Sequence, residues 1–124
     1  MPKNPQNQEV LGDSLYVSIY VLRAAPSRAQ LEALLKKVVR AIGMSTAGLP
    51  AKAWVYPLES GQGGVGVTIC QPLVESFIIA DSWPELSKTY LVLASCRRYS
   101  PQAVAAVVAQ EGFPCEFQGW LTAR

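Results

Sequence analysis

A run of reactive residue types lies at positions 74–85, which read VESFIIADSWPE. Within it, Ser76 directly follows Glu75, and the carboxyl group of Asp81 comes later in the same run. A hydroxyl near a carboxylate is a grouping used for nucleophilic chemistry at serine. The chain contains no histidine. A Ser-His-Asp or Cys-His arrangement therefore cannot form within one chain.

The three cysteines, Cys70, Cys96 and Cys115, are odd in number and show no CxxC spacing. Such a pattern argues against both a disulfide framework and a zinc site. We therefore expect no bound metal and a reducing, cytoplasmic location.

The composition predicts one domain, spanning residues 14–124, after a flexible polar tail at residues 1–13. The tail lacks the apolar core of a signal peptide, and no segment reaches the ~18 apolar residues of a membrane span. The net charge of +2 is too small to indicate nucleic-acid binding. Half of the 124 residues are apolar and 16% are charged. This balance favours burial of one sheet face against a second copy, so we expect a homodimer or a higher oligomer.

Two helices and six strands follow from the residue patterns. Ser27 and Gln30 form a capping box before a stripe of apolar residues at helical spacing, and Gly43 ends it. Ser100 and Pro101 begin a second helix, which ends at Gly112. The strands are predicted at 15–22, 52–58, 66–71, 77–82, 88–96 and 114–121. The order β-α-β-β-β-β-α-β predicts an α+β two-layer sandwich, a largely antiparallel sheet with both helices on one face.

The glycine-rich segment SGQGGVG at 60–66 resembles part of a nucleotide-binding loop. A dinucleotide fingerprint must open a helix, however, and this segment precedes a strand. A hairpin loop is the better interpretation.

With these elements placed, four features stand at characteristic spacings: the pair Glu75-Ser76, the turn Ser82-Trp83-Pro84-Glu85, Thr68 and Cys96. By these features the chain resembles the short, prokaryotic-type S-adenosylmethionine decarboxylases of polyamine (spermidine) synthesis. Glu75-Ser76 stands at their self-cleavage pair, and Ser82-Trp83-Pro84-Glu85 matches their T-W-P-E turn. Cys96 lies at the distance from Ser76 in sequence at which the family has its catalytic cysteine. Thr68 lies at the distance from Ser76 at which the family has the hydroxyl that takes part in processing. The resemblance covers nearly everything after the tail.

The resemblance implies self-cleavage followed by decarboxylation. The serine oxygen attacks the carbonyl of the preceding glutamate, and β-elimination then cuts the chain and leaves a pyruvoyl group. That group forms a Schiff base with the substrate amine and accepts electrons during decarboxylation. If the family's catalytic roles apply at the matching positions, the candidate catalytic residues are Ser76, Asp81, Cys96 and Thr68.

The sequence departs from the family at the residues that carry the chemistry. Asp81 replaces the processing histidine, and Phe77 replaces the histidine after the serine. Val92 and Arg97 stand where the family has an aspartate and a glycine. A carboxylate accepts a proton but donates one poorly near neutral pH. The expectation is an uncleaved chain with no pyruvoyl group and no efficient decarboxylase activity.

Three functions follow from these departures. We expect either a structural or regulatory homologue, which pairs with itself or with a paralogous subunit, or a protein that binds a small amino-acid-like ligand. The alternative is an active pyruvoyl-dependent lyase, acting on S-adenosylmethionine or another amino acid after cleavage at Glu75-Ser76.

Overall fold

The computed structural model of the chain describes residues 15–58 and 64–123. These residues form six strands and two α-helices in the predicted order. The elements are β1 (Leu15–Leu22), α1 (Arg28–Ala41), β2 (Lys52–Pro57), β3 (Val65–Leu73), β4 (Ser76–Trp83), β5 (Lys88–Ser95), α2 (Pro101–Gln110) and β6 (Cys115–Ala123). The tail predicted at residues 1–13 lies outside the described residues, and the single domain at 14–124 stays a prediction.

Helix α1 begins at the predicted capping box. Gln30 N donates to Ser27 Oγ at 3.2 Å, and Ser27 N donates to Gln30 Oε1 at 2.9 Å. These bonds satisfy N–H groups that have no partner inside the helix. Gly43, at φ +70°, takes the left-handed conformation that ends the helix. The buried side chains of α1 are Leu31, Leu34, Leu35, Val38 and Val39.

Helix α2 also begins as the sequence predicts. Ser100 Oγ accepts a hydrogen bond from Ala103 N at 3.2 Å, and Pro101 occupies the first turn. Val104 and Val108 are fully buried, whereas Val107, predicted on the same side, is half-buried. Lys37 of α1 forms a 2.7 Å salt bridge with Glu111 beyond α2, which joins the two helices.

The strands form one antiparallel sheet in the order β2-β3-β4-β5-β1-β6. Helix α1 packs on β3, and α2 packs on β1 and β6. We call the covered side the helix face and the other side the open face. Because side chains alternate along a strand, neighbours in sequence lie on opposite faces. The predicted α+β sandwich is confirmed.

The helix face contains the hydrophobic core, which includes Leu22, Ile69, Ile78, Leu91 and Leu93, each at most 1% exposed. Burial of each such side chain contributes about 2 kcal/mol.

A polar network lies inside this core, beneath the start of α2. Tyr20 Oη donates to two acceptors, Ser18 Oγ at 2.8 Å and the backbone oxygen of Pro101 at 3.2 Å. The Tyr99 hydroxyl lies 2.6 Å from Ser18 Oγ and donates to Leu93 O at 3.0 Å. Burial raises the pKa of both phenols, and their hydrogen bonds with Ser18 partly oppose that rise. This network, which we call the buried network, ties α2 to the sheet.

Strand ends differ from the sequence prediction by one or two residues. Strand β5 ends at Ser95, so Cys96 begins the following bend. Strand β3 runs on to Leu73 because the chain reverses there in a two-residue turn. The glycine-rich segment joins β2 to β3, which pair antiparallel as the hairpin interpretation requires. Its residues 59–63 lie outside the described residues.

Candidate functional site

The predicted cleavage pair lies at the apex of the hairpin that joins β3 to β4. Leu73 pairs with Ser76, which leaves Val74 and Glu75 as the two turn residues. Glu75 has φ +62°, a left-handed conformation that costs a residue with a side chain about 1–2 kcal/mol. The Glu75–Ser76 peptide bond therefore follows a strained residue.

The groups around Ser76 are neutral hydroxyls and backbone. Ser76 Oγ donates to Ser95 Oγ at 2.6 Å, and Ser95 Oγ also accepts from Arg97 N at 2.8 Å. Cys96 N donates to Glu75 O at 3.4 Å, a long bond to the carbonyl that Ser76 would attack. Because Ser95 is a neutral hydroxyl, it is a poor base for removing the Ser76 proton.

The other two predicted residues meet on the open face, in what we call the Asp81 cluster. Asp81 Oδ1 accepts from Thr68 Oγ1 at 2.7 Å and from Tyr56 Oη at 3.2 Å. Asp81 Oδ2 accepts from Trp83 Nε1 at 3.0 Å. The hydroxyls of Tyr56 and Thr68 lie 3.0 Å apart. Three donors from three strands thus fix one half-buried carboxylate.

The register of the sheet assembles this cluster. Thr68 and Asp81 are partners across β3 and β4, so their side chains share a face. Tyr56 on the edge strand β2 pairs with Gly66, and a Cβ at Gly66 would lie 2.5 Å from the Tyr56 ring. The missing side chain at Gly66 lets the ring lie flat on the sheet and reach Asp81.

A cavity of about 440 Å³ opens beside the cluster. Tyr56 and Trp83 supply aromatic walls, and Asp81 and Glu85 supply carboxyl groups. The Trp83 ring is held edge-on against Tyr90, with ring centres 5.9 Å apart. Aromatic faces and carboxylates together favour a small cation. The remaining lining residues are Pro57, Leu58 and Ser82.

The structure separates the predicted catalytic residues into two locations. Ser76 and Cys96 lie at the hairpin apex, where the Ser76 side chain is on the helix face beside Ser95. Thr68 and Asp81 lie together on the open face. Asp81 is five positions along β4 from Ser76, a separation of about 16 Å. Within one chain, this distance is too long for proton transfer between Asp81 and Ser76.

Sequence reasoning missed two residues that complete these locations, Tyr56 and Ser95. Ser95 pairs with Ser76 across β4 and β5, and Tyr56 reaches Asp81 from the sheet edge. The sequence carried no usable signal for either residue, because their positions depend on the registers of β2 with β3 and of β4 with β5.

Ser82, within the matched S-W-P-E turn, has a structural contact. Its Oγ accepts from Val67 N at 2.8 Å, and the side chain is 5% exposed. This bond serves a backbone N–H at the end of the β3–β4 ladder.

In the part of the chain that the structure describes, no three His, Cys, Asp or Glu side chains are grouped to hold a metal ion. Over the same residues, no helix is long and apolar enough to cross a membrane.

Comparison with known proteins shows the fold. No protein-family model and no curated protein matches the chain. Among solved structures, the chain is similar to the adenosylmethionine decarboxylase from Aquifex aeolicus VF5, with a TM-score of 0.59 and 13% identity. The match covers 89% of this chain and 88% of the other. The protein therefore has the fold of an S-adenosylmethionine decarboxylase.

Proposed function

We propose that this protein is an uncleaved S-adenosylmethionine decarboxylase-like protein that binds a small amino-acid-like ligand without efficient decarboxylation. The proposal rests on one observation. Asp81, which stands where the decarboxylases carry their processing histidine, already accepts three hydrogen bonds on the open face and lies far from Ser76 within the chain.

The chemistry at Ser76 supports the same conclusion. Self-cleavage needs a group that removes the Ser76 hydroxyl proton and a group that removes its Cα proton during elimination. Ser76 Oγ is hydrogen-bonded to Ser95, which serves neither purpose well. An imidazole cannot come from a second copy of the chain either, because the sequence has no histidine.

The cavity beside the Asp81 cluster supports a binding role. Three donors leave the Asp81 carboxylate part of its acceptor capacity, since two oxygens offer about four lone-pair directions. An ammonium or sulfonium group between Tyr56 and Trp83 would meet this carboxylate and Glu85. A cationic amino acid or amine has that chemistry.

Intact-mass measurement tests the absence of cleavage. We expect one mass for the purified chain, unchanged by hydroxylamine, and no carbon dioxide from S-adenosylmethionine. Two fragments, residues 1–75 and 76–124, with the second shifting in mass after hydroxylamine, would contradict the proposal.

Calorimetry tests the ligand. We expect S-adenosylmethionine, which carries a sulfonium, to bind more tightly than methionine. Asp81→Asn should weaken binding about tenfold, because the attraction between the Asp81 carboxylate and the ligand's positive charge is lost. Ser76→Ala is the matched control and should leave affinity unchanged. Equal binding by wild type and Asp81→Asn would exclude this cavity as the site.

The alternative function, a pyruvoyl-dependent decarboxylase, is favoured by the positive φ of Glu75. Strain before the Glu75–Ser76 bond would assist attack of Ser76 Oγ on the Glu75 carbonyl. The resulting ester would eliminate the Glu75 carboxylate, and the dehydroalanine left at 76 would gain water and lose ammonia to become pyruvoyl. The intact-mass experiment decides between the two functions.

We also propose that the protein forms a homodimer, or pairs with a paralogous subunit, through the open face. The large apolar side chains on this face that are 40–49% exposed include Ile19, Trp54, Phe77 and Trp83. Such a patch on one sheet face is typical of an interface. Light scattering of the wild type should show a dimer, and Ile19→Glu should give a monomer. A wild-type monomer would exclude the homodimer.

A further inference from the structure

A second groove lies on the opposite side of the sheet, between the end of α1, residues 42–51 and β3. Two adjoining cavities of about 380 and 390 Å³ form it. They share three lining residues, Lys36, Thr46 and Gln71. We call it the Gln71 groove. It is separated from the Asp81 cluster by the sheet itself, because Gln71 lies on the helix face and Asp81 on the open face.

Gln71 brings a buried, unused acceptor to this groove. The residue is 8% exposed. Its Nε2 donates to Leu49 O at 3.1 Å and to Pro72 O at 2.7 Å. Among the described residues, none donates a hydrogen bond to Gln71 Oε1. A buried polar atom without a partner is unfavourable, so this oxygen favours a ligand that carries an O–H or N–H group.

Two cations on α1 line the same groove. Lys36 lines both cavities and Arg40 lines one of them. Neither forms a salt bridge with any described residue. Like charges four residues apart on a helix repel, although the negative end of the helix dipole offsets part of this repulsion. An anion held between them would remove the rest.

Two hydroxyl side chains, those of Ser45 and Thr46, also line the groove. Ser45 Oγ accepts from Ala47 N at 3.0 Å, and Thr46 Oγ1 accepts from Gly48 N at 3.3 Å. Both hydroxyl oxygens thereby serve the backbone as acceptors, and neither hydroxyl donates a hydrogen bond to a described residue. The groove thus combines two cations and two hydroxyl donors with one buried acceptor.

The remaining lining residues limit the ligand further. Leu35, Leu49 and Pro50 give one cavity an apolar wall. Glu32 also lines that cavity, but its carboxylate is paired with Arg28 at 3.2 Å and forms no salt bridge with Lys36. A ligand with a compact anionic group and a small organic part matches this lining.

We propose that the Gln71 groove binds a phosphate monoester. The phosphate oxygens accept from Lys36, Arg40 and Thr46, and a protonated phosphate oxygen or an adjacent hydroxyl donates to Gln71 Oε1. The organic part lies against the apolar wall. This site is independent of the function proposed above, because its residues lie on the other face of the sheet.

Calorimetry with inorganic phosphate and with sulfate, at constant ionic strength near pH 7, tests the proposal. Phosphate retains a proton at this pH, whereas sulfate is fully ionised and cannot donate to Gln71 Oε1. We expect saturable phosphate binding, about tenfold tighter than sulfate, the effect of one buried hydrogen bond. Equal affinities, or no saturable phosphate binding, would overturn the proposal.

Charge variants on α1 give a second test. Lys36→Met and Arg40→Met should each weaken phosphate binding about fivefold, because each removes one exposed ion pair. Lys37→Met is the matched control: it makes the same change of charge on the same helix, but Lys37 is paired with Glu111. Equal weakening by the control would show a general charge effect and contradict the site.

Discussion

The buried network and the Asp81 cluster use similar side chains on opposite faces of one sheet. In the buried network, the hydroxyls of Tyr20 and Tyr99 bind the Ser18 hydroxyl and backbone carbonyls, which are neutral groups. In the Asp81 cluster, Tyr56 and Thr68 bind a carboxylate beside an open cavity. Tyrosine and hydroxyl groups therefore stabilise the fold where their partners are neutral and sealed. The same groups prepare a binding site where a charge and free volume remain.

The largest difference between the two networks is expected in the free energy of unfolding at alkaline pH. Since burial raises the pKa of Tyr20 and Tyr99, these phenols stay protonated in the folded chain while the unfolded chain loses protons. Their stabilisation is complete below the ordinary pKa near 10 and is lost as pH rises above it. Each tyrosine contributes a loss of about 1.4 kcal/mol per pH unit.

Urea unfolding between pH 8 and pH 11, with a free energy of unfolding at each pH, measures this loss. The thiol of Cys115 adds to it with the same sign, because burial and then Glu116 raise its pKa. In Tyr20→Phe the free energy of unfolding should fall less steeply with pH, by about 1.4 kcal/mol per pH unit, because one of the two phenols is missing. An unchanged slope in this variant would mean that Tyr20 ionises alike in the folded and unfolded chains.

The next effect is on stability at neutral pH. Tyr20→Phe should lower the free energy of unfolding by about 2 kcal/mol, because Pro101 O and Ser18 Oγ lose a donor inside the core. Asp81→Asn should cost about 1 kcal/mol, since the cavity beside the carboxylate lets water replace lost bonds. Paired denaturation curves at pH 7 check the ranking. A larger loss in Asp81→Asn would reverse the assigned roles.

The smallest effect is expected from Gly66→Ala. The new Cβ would meet the Tyr56 ring at 2.5 Å, so the ring must swing away from Asp81. The loss is about 0.5–1 kcal/mol of stability, together with a change in the environment of Tyr56 that NMR detects. Gly119→Ala is the control, because no atom of the described residues is found within 4 Å of its added Cβ. Identical Asp81 resonances in wild type and Gly66→Ala would show that Tyr56 does not contact the carboxylate.

The helix ends were predictable because their signals are local. The Ser27–Gln30 capping box and the Ser100–Pro101 start each lie within one helical turn, and both are observed. The stripe of α1 likewise repeats every three or four residues. The strands followed from β-branched and aromatic runs, with errors confined to their ends.

The candidate site was less predictable because it depends on strand register. Nothing near Asp81 in sequence indicates that Tyr56 lies beside it, or that Ser76 lies on the other face. The resemblance grouped Ser76, Asp81, Cys96 and Thr68 by function alone. Gln71 was missed for a similar reason: it has the composition of an ordinary strand residue, and only its burial without a donor for Oε1 distinguishes it.

Strand β2 lies at one edge of the sheet and, within the described part of the chain, pairs only with β3. Five of its six residues are exposed, so its amides should exchange with solvent deuterium sooner than those of β4 or β5. Tyr56 lies on this strand, and each local opening of β2 would remove one wall of the cavity. Ligand binding at Asp81 should therefore slow deuterium uptake in β2 selectively, even though most of the strand never contacts the ligand.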